Sequence, residues 1–371
     1  MNTIKKVICG RNFKFVHCEH KRGIKLGISF TNLLKRNLDF RLVTYILQHP
    51  SRYYGTSKRI KGLFFFCYRL FKSLFLDLTK EHVVEVNGYK LLTIPNDLGI
   101  SSELLLFKTH EPLSTEVLKS ELKKGMVCLS VGANIGYYAL LERKLVGEEG
   151  AVIVIEPSPL SYSCLKNNLH QNGFADVSAF NYAFSCHDGA VPFLMDSQSN
   201  LCRVVKENDH CLNDLIIDVR ALSLDSFAAQ YNLDELDFLR MDVEGYETEI
   251  FRGGWRTIDR FKPALFIEVH KSLLGPKLTF EFLQDLQSHG YEVKHYIPRD
   301  LDLPLIGSMR DVKEIKISRL LEMLSDNLLP DCFHLFLVQS GEKSITEQAD
   351  SSSTGDTILN ADPRNVMQFF V

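Results

Sequence analysis

A few small and ionisable residues mark where this chain could do chemistry. Residues 131–141 read VGANIGYYALL, where Gly132, Asn134 and Gly136 follow an apolar run (Met126 to Val131) and lead into a helical pattern. Glycine at the end of a strand lets backbone come close to a ligand, and the helix N-terminus behind it presents unpaired N–H groups. Twenty residues past Gly136, Glu156 closes the next apolar run, where a carboxylate can accept hydrogen bonds from a ribose diol. Strand, small-residue loop, helix and acid together describe an adenosine-ligand site, the plainer reading being tight strand–helix packing. A dinucleotide loop wants G-x-G-x-x-G; this chain has G-A-N-I-G, with Asn134 where the middle glycine would sit. That weighs against NAD and favours S-adenosylmethionine, which has no pyrophosphate to cradle.

The second group lies downstream. Asp242 and Glu244 follow the apolar run of LDFLRMDVEG, and Glu268 and His270 close ALFIEVH, two apart and so on one side of a strand. Adjacent strand ends converge on one cleft, which would set four ionisable groups around a transferable methyl. Methyl transfer from a sulfonium is an in-line displacement governed largely by positioning. A hydroxyl acceptor also needs a general base. His270 has the most useful intrinsic pKa, and Asp242 serves if desolvation raises its own. The plainer roles are a core histidine and a cap for the helix opening at Tyr246. Oxygen ligands suit Mg²⁺, but no strict metal spacing is present, so no metal is expected.

These residues need a scaffold of strands and helices. HVVEVNGYKLLTI carries Asn-Gly between two β-type runs, a hairpin signal. After a helical segment at 113–122, MVCLSVGA, a helix from Ile135, AVIVIEP, a helix through LSYSCLKNNLHQNG and VSAFNYAFS alternate. VPFLM, ALSLDSF, LDFLRMDVEG, a helix through YETEIFRGGWRTIDRF and ALFIEVH follow, then a helix at 278–289, YEVKHYI and FHLFLV. Continuous apolar strands alternating with helices predict an α/β fold, a mostly parallel Rossmann-like sheet covered on both faces. The last two strands flank a long connection (298–331) and predict an antiparallel edge. The domain plan is a basic extension over 1–81, a globular part over 82–338 and a polar, disordered tail over 339–371. Within the globular part, 82–122 holds the hairpin and helix, 123–298 the ligand-binding core and 299–338 the closing strands.

Composition narrows the class further. Nine scattered cysteines without C-x-x-C give neither a disulfide framework nor a zinc site and fit a reducing, cytoplasmic compartment. No run reaches about 18 apolar residues, and the N-terminus shows no apolar stretch of secretory length. Residues 1–80 hold 17 Lys+Arg against three acids, a net of +14, while the rest carries −17. That split predicts a basic arm on an anionic partner. KGLFFFCYRLFKSLFLDL places its charges near helical spacing around a Phe/Leu face, a pattern open to two readings, one of which is contact with an anionic membrane surface from the cytoplasmic side. The alternative is packing of that face on the domain or on a second subunit. No stacking platform accompanies the arm, which disfavours nucleic acid.

Taken in order and spacing, VGANIGYY, IEPSP…CLKNNL, LDFLRMDVEGYE…FRGG and PALFIEVH resemble the FkbM-type SAM-dependent methyltransferases. The resemblance extends upstream through IPNDLGISSELL and HEP and covers roughly residues 84–298. It implies a class I methyltransferase sheet and O-methylation of sugars or other hydroxylated metabolites. By position it places Gly132, Asn134 and Gly136 along S-adenosylmethionine, with Glu156 on its ribose. Two positions depart from the family pattern. Ser130 stands where the family has an Asp that helps anchor the methionine end, and Arg240 replaces a lysine, keeping charge but not geometry. The expectation is therefore a SAM-dependent O-methyltransferase acting on a hydroxyl of a glycan, lipid-linked sugar or related metabolite. The rival readings are an NAD-type Rossmann oxidoreductase and an inactive, membrane-associated scaffold of the same fold, the latter resting on Ser130.

Overall fold

A computed structural model describes residues 77–206 and 215–341. The expected aromatic helix, up to residue 76, and the tail from 342 onward lie outside the described residues, as does 207–214. The described chain opens with a hairpin, β1 (Val83–Val86) and β2 (Tyr89–Leu92). Asn87 and Gly88 both turn through positive φ, 53° and 80°, as a two-residue hairpin loop demands. Helices α1 (Ile100–Phe107) and α2 (Pro112–Glu121) follow; α1 was not anticipated from the sequence. Then come β3 (Val127–Val131), α3 (Tyr137–Val146), β4 (Ala151–Ile155), α4 (Pro159–Gln171) and β5 (Ser178–Phe180). Ser158 starts α4 by accepting the Ser161 N–H, with Pro159 at the first helical position.

A smaller sheet is inserted next: β6 (Ala183–Phe184), β7 (Gly189–Met195), β8 (Arg203–Val204) and β9 (Leu215–Leu222). The chain returns through α5 (Leu224–Gln230), β10 (Phe238–Met241), α6 (Glu247–Arg252), α7 (Trp255–Phe261) and β11 (Ala264–Val269). It closes with α8 (Lys271–Ser288), β12 (Tyr291–Pro298), α9 (Ile317–Ser325) and β13 (Phe333–Gln339).

The main sheet has the order β12-β13-β11-β10-β3-β4-β5. Five strands, β5 through β11 in that order, run parallel; β13 pairs antiparallel with both β11 and β12. This is the mostly parallel Rossmann-like architecture expected from the sequence, with an antiparallel edge. Alternate residues feed two cores, one on each face. Leu129, Leu239, Met241, Leu265 and Ile267 pack on one side, and Cys128, Phe238 and Phe266 on the other. From β3 the chain builds outward to β4 and β5, then returns to lay β10 and β11 on the opposite flank. The switch point therefore lies between β3 and β10, where open α/β sheets bind ligands.

Several segments differ from the sequence reading. VSAFNYAFS is not one strand. The Asn181 side chain donates to the Glu156 and Pro157 carbonyls (2.8 and 3.0 Å), and the chain leaves the main sheet for the smaller one. In ALSLDSF only Ala221 and Leu222 belong to a strand, because Ser223 accepts the Ser226 N–H and opens α5. The helix read through YETEIFRGGWRTIDRF breaks in two at Gly253–Gly254. The next helix starts earlier than expected, at Lys271, with a kink at Gly275 and Pro276. Among the described residues no helix is long and apolar enough to cross a membrane.

Candidate active site

A cleft partly open to solvent lies over the carboxyl ends of β3, β4, β10 and β11. Gly132, Asn134, Glu156, Asp242, Glu244 and Glu268 all line it; Ser130, Gly136 and His270 do not.

The glycine loop owes its small residues mostly to other parts of the protein. Gly132 has φ 81°, and a Cβ there would sit 1.9 Å from the Asp242 carbonyl oxygen. The Asp242 N–H in turn donates to the Val131 carbonyl (3.0 Å), so the switch-point strands touch through backbone at Gly132. A Cβ on Gly136 would meet Leu165 Cδ1 of α4 at 2.7 Å, which makes this glycine a helix-packing position rather than part of the cleft wall. Ser130 is likewise corrected. It is fully buried within β3, and its hydroxyl donates to Glu142 Oε1 of α3 (2.6 Å), away from the cleft. Burial pushes Glu142 up to about 7, against the Ser130 hydrogen bond and the nearby Arg240 charge.

Glu156 sits just past β4 with both oxygens engaged by backbone. Oε2 accepts the Asn134 N–H (2.7 Å) and Oε1 the Ser158 N–H (2.8 Å). Burial pushes its carboxyl up to about 7 despite those bonds. The Asn134 side-chain Oδ1 beside it is buried without a partner. Each Glu156 oxygen retains a lone pair, and acceptor atoms grouped in a cleft over a switch point suit the hydroxyl and amine donors of an adenosine ligand. The residues present therefore fit S-adenosylmethionine.

Asp242 is oriented by Arg240, whose guanidinium donates to Asp242 Oδ2 (3.1 Å) and to the Gly132 carbonyl (3.3 Å) while lying 4.0 Å over the Tyr138 ring. Burial, then the neighbouring Glu268 charge, raises Asp242 to about 6. Glu244, in a left-handed conformation (φ 51°), is pushed by burial to about 8, with the His270 charge opposing.

His270 is not placed as a free base. Its Nδ1 lies 2.7 Å from Glu247 Oε1 and its Nε2 3.3 Å from Glu244 Oε2, with Glu268 Oε1 3.8 Å from Nε2. Burial alone would lower its pKa, but the Cys332 thiol, then Glu244 and Glu268, raise it well above the ordinary histidine value. With both nitrogens facing acid groups, the ring has no open position from which to take an acceptor's proton. Glu268 is committed too. It pairs with Arg299 Nε (3.2 Å) and His334 Nε2 (3.5 Å) and accepts from the Cys332 thiol (2.9 Å). Burial would raise Glu268, yet His334 and His270 hold it well below the usual carboxylate range.

Sequence reasoning missed the far wall. Glu111, in the HEP stretch and at φ 41°, accepts from Tyr138 (2.6 Å) and pairs with Arg299 Nη2 (3.1 Å). Both line the cleft, as do Ser199 and Asn200 from the inserted segment. Ser199 is held by Asp97, which accepts its N–H (2.8 Å) and hydroxyl (2.9 Å). The positive φ of Glu111 is invisible in a sequence, and Arg299 follows an ordinary edge strand, so only the HEP stretch offered a signal. For cations, Asp242, Glu244 and His270 bring ligand-type atoms within 4.8 Å of one another, as do Glu268, His270 and Cys332, and Glu111, Glu268 and His334. In each set the histidine nitrogen already faces a carboxylate.

Residues 130–293 match the model of the methyltransferase FkbM domain. Methyltransferase 1 of Beauveria bassiana (strain ARSEF 2860) is 24% identical over 211 residues, 49% of this chain and 80% of that protein. A SAM-dependent methyltransferase from Aquifex aeolicus is 17% identical with a TM-score of 0.34, over 65% of this chain and 95% of its own. Methyltransferase FkbM from Methylobacillus flagellatus KT is 15% identical with a TM-score of 0.35, over 82% of this chain and 60% of its own.

Proposed function

We propose that this SAM-dependent methyltransferase, whose residues 130–293 match the methyltransferase FkbM domain, methylates a hydroxyl group on a glycan, lipid-linked sugar or related metabolite. The observation that carries this reading is Asp242. It faces the cleft at the end of β10, aimed by Arg240, with its carboxyl raised to about 6. A hydroxyl is a poor nucleophile until its proton leaves, and a carboxylate whose pKa approaches the working pH is suited to take that proton.

S-adenosylmethionine supplies a methyl on a positively charged sulfur. In this reading Glu156 accepts the ribose hydroxyls, and Gly132 and Asn134 wall the loop beside it. Asp242 accepts the acceptor's proton while Arg240 fixes the carboxylate's direction. Glu244 and Glu268 set the local charge rather than act as bases. The polar far wall, with Glu111, Asn200 and Arg299, offers both hydrogen-bond donors and acceptors, as a hydroxyl-rich acceptor requires. The +14 charge of residues 1–80 supports a further proposal, that the extension rests on an anionic membrane where lipid-linked acceptors diffuse.

The test is incubation of full-length protein with methyl-labelled S-adenosylmethionine and fractionated cell extract. An alkali-stable methyl ether in a carbohydrate or lipid-linked fraction supports the proposal. Label appearing only as alkali-labile esters or as N-methyl products refutes the hydroxyl assignment.

A further inference from the structure

We propose that Glu247 is a positioning residue that keeps the His270 ring doubly protonated and pressed against Glu244, so that an imidazolium stands directly behind the cleft. The inference rests on the methyl-transfer reading for its purpose, but not for its geometry. Glu247 opens α6, is completely buried and does not line the cleft. Its Oε1 does two things. It lies 2.7 Å from His270 Nδ1, and it accepts the Gly245 N–H (3.1 Å), closing the turn that carries Glu244 in its left-handed conformation. One carboxylate thus fixes both members of the His270–Glu244 pair.

The charge of the ring follows from what faces it. Nδ1 meets Glu247; Nε2 meets Glu244 at 3.3 Å and Glu268 at 3.8 Å. An ionised carboxylate only accepts hydrogen bonds, so the ring gains from a proton on Nδ1, which faces Glu247, and on Nε2, which also faces Glu268, held ionised by its cations. Asp242, from the end of β10, and the Cys332 thiol, from the approach to β13, are the other titratable groups around it. Glu268 is shared with Arg299 and His334, which leaves Glu247 as the closest carboxylate on the ring. A buried carboxylate without a cation is strongly unfavourable, and His270 supplies that cation. The consequence for the cleft is electrostatic. Asp242 and Glu244 stand among other acids, and the imidazolium behind them favours the ionised form that a base needs.

The experiment uses full-length protein labelled with ¹⁵N in histidine, with two-bond proton–nitrogen spectra and His270 assigned by the loss of its signals in H270Q. Wild type is expected to show the imidazolium pattern at neutral pH. Glu247→Gln is expected to lose that pattern while its calorimetric affinity for S-adenosylhomocysteine stays at the wild-type level. Glu244→Gln, which leaves Glu247 in place, is expected to retain the Nδ1 proton. A neutral His270 in wild type overturns the proposal even if no variant folds, and so does an unchanged imidazolium in Glu247→Gln. Loss of the Nε2 proton on adding millimolar Mg²⁺ also overturns it, in favour of a metal site. Absence of S-adenosylhomocysteine binding by wild type would instead count against the methyl-transfer reading, leaving the ring measurement to stand separately.

Discussion

Replacing Glu156 by glutamine probes the proposed ribose contact, and the structure sets both sign and size. The carboxyl's ordinary value of 4.5 is raised to about 7 by burial. Below pH 4.5 it is protonated in folded and unfolded chains alike. Between the two values the unfolded chain ionises first, so folding stability falls with rising pH by about 1.4 kcal/mol per unit and levels off above the folded value. The total is about 3 kcal/mol, and glutamine removes it. Glutamine also offers one oxygen where Asn134 and Ser158 present two N–H groups, and an orphaned donor costs about 1–3 kcal/mol. The unliganded variant is therefore expected near wild-type stability in mild alkali and below it in mild acid. Ligand binding behaves differently, because hydroxyl donors favour the ionised carboxylate. Calorimetry with S-adenosylhomocysteine in mild alkali is expected to show a loss of about 1.5–3 kcal/mol, the worth of hydrogen bonds to a charged group. Wild-type affinity is expected to weaken up to about tenfold per unit below the folded pKa, with no such slope in the variant. Equal affinities and equal slopes would remove Glu156 from the ribose role.

Gly132→Ala and Gly136→Ala both carry about 1–2 kcal/mol of left-handed strain, but at Gly132 the added Cβ also clashes with backbone at 1.9 Å, whereas at Gly136 it meets a leucine methyl that can move, so Gly132→Ala is expected to destabilise more. Thermal melts ranking the two the other way would contradict the packing described. Asp242→Asn is expected to lower turnover by about 10²–10⁴ with little change in S-adenosylhomocysteine affinity. In wild type the rate should rise with pH through about 6 as Asp242 ionises; wild-type rates in the variant would end its role as base. Full-length protein is expected to sediment with anionic liposomes and to be released by salt, each Lys or Arg near the surface adding about 1 kcal/mol. A protein lacking 1–81 is expected to stay soluble and unbound. Its unfolding, with no liposome binding by the full chain, would make the aromatic segment part of the domain.

Features set by neighbours along the chain were legible beforehand. Asn87-Gly88 specifies its hairpin, apolar runs of five or six residues specify the parallel strands, and Glu156 and Asp242 fall at strand ends by simple counting. What escaped depends on distant partners. Ser130 alternates onto the Glu142 side because of strand pleating against α3, and His270 Nδ1 is taken up by Glu247, 23 residues before it. Glu111 and Arg299 meet only because β12 and β13 fold back beside β11. The split of VSAFNYAFS turns on a side-chain amide claiming two carbonyls, which no periodicity reveals.

The central claim is that the cleft between β3 and β10 serves S-adenosylmethionine. Titrating full-length protein with S-adenosylhomocysteine and, separately, with NAD⁺ tests it most directly. Micromolar binding of the first, lost or weakened in Glu156→Gln, with no heat from the second, is the predicted result. Tight binding of NAD⁺ with none of S-adenosylhomocysteine would contradict the account.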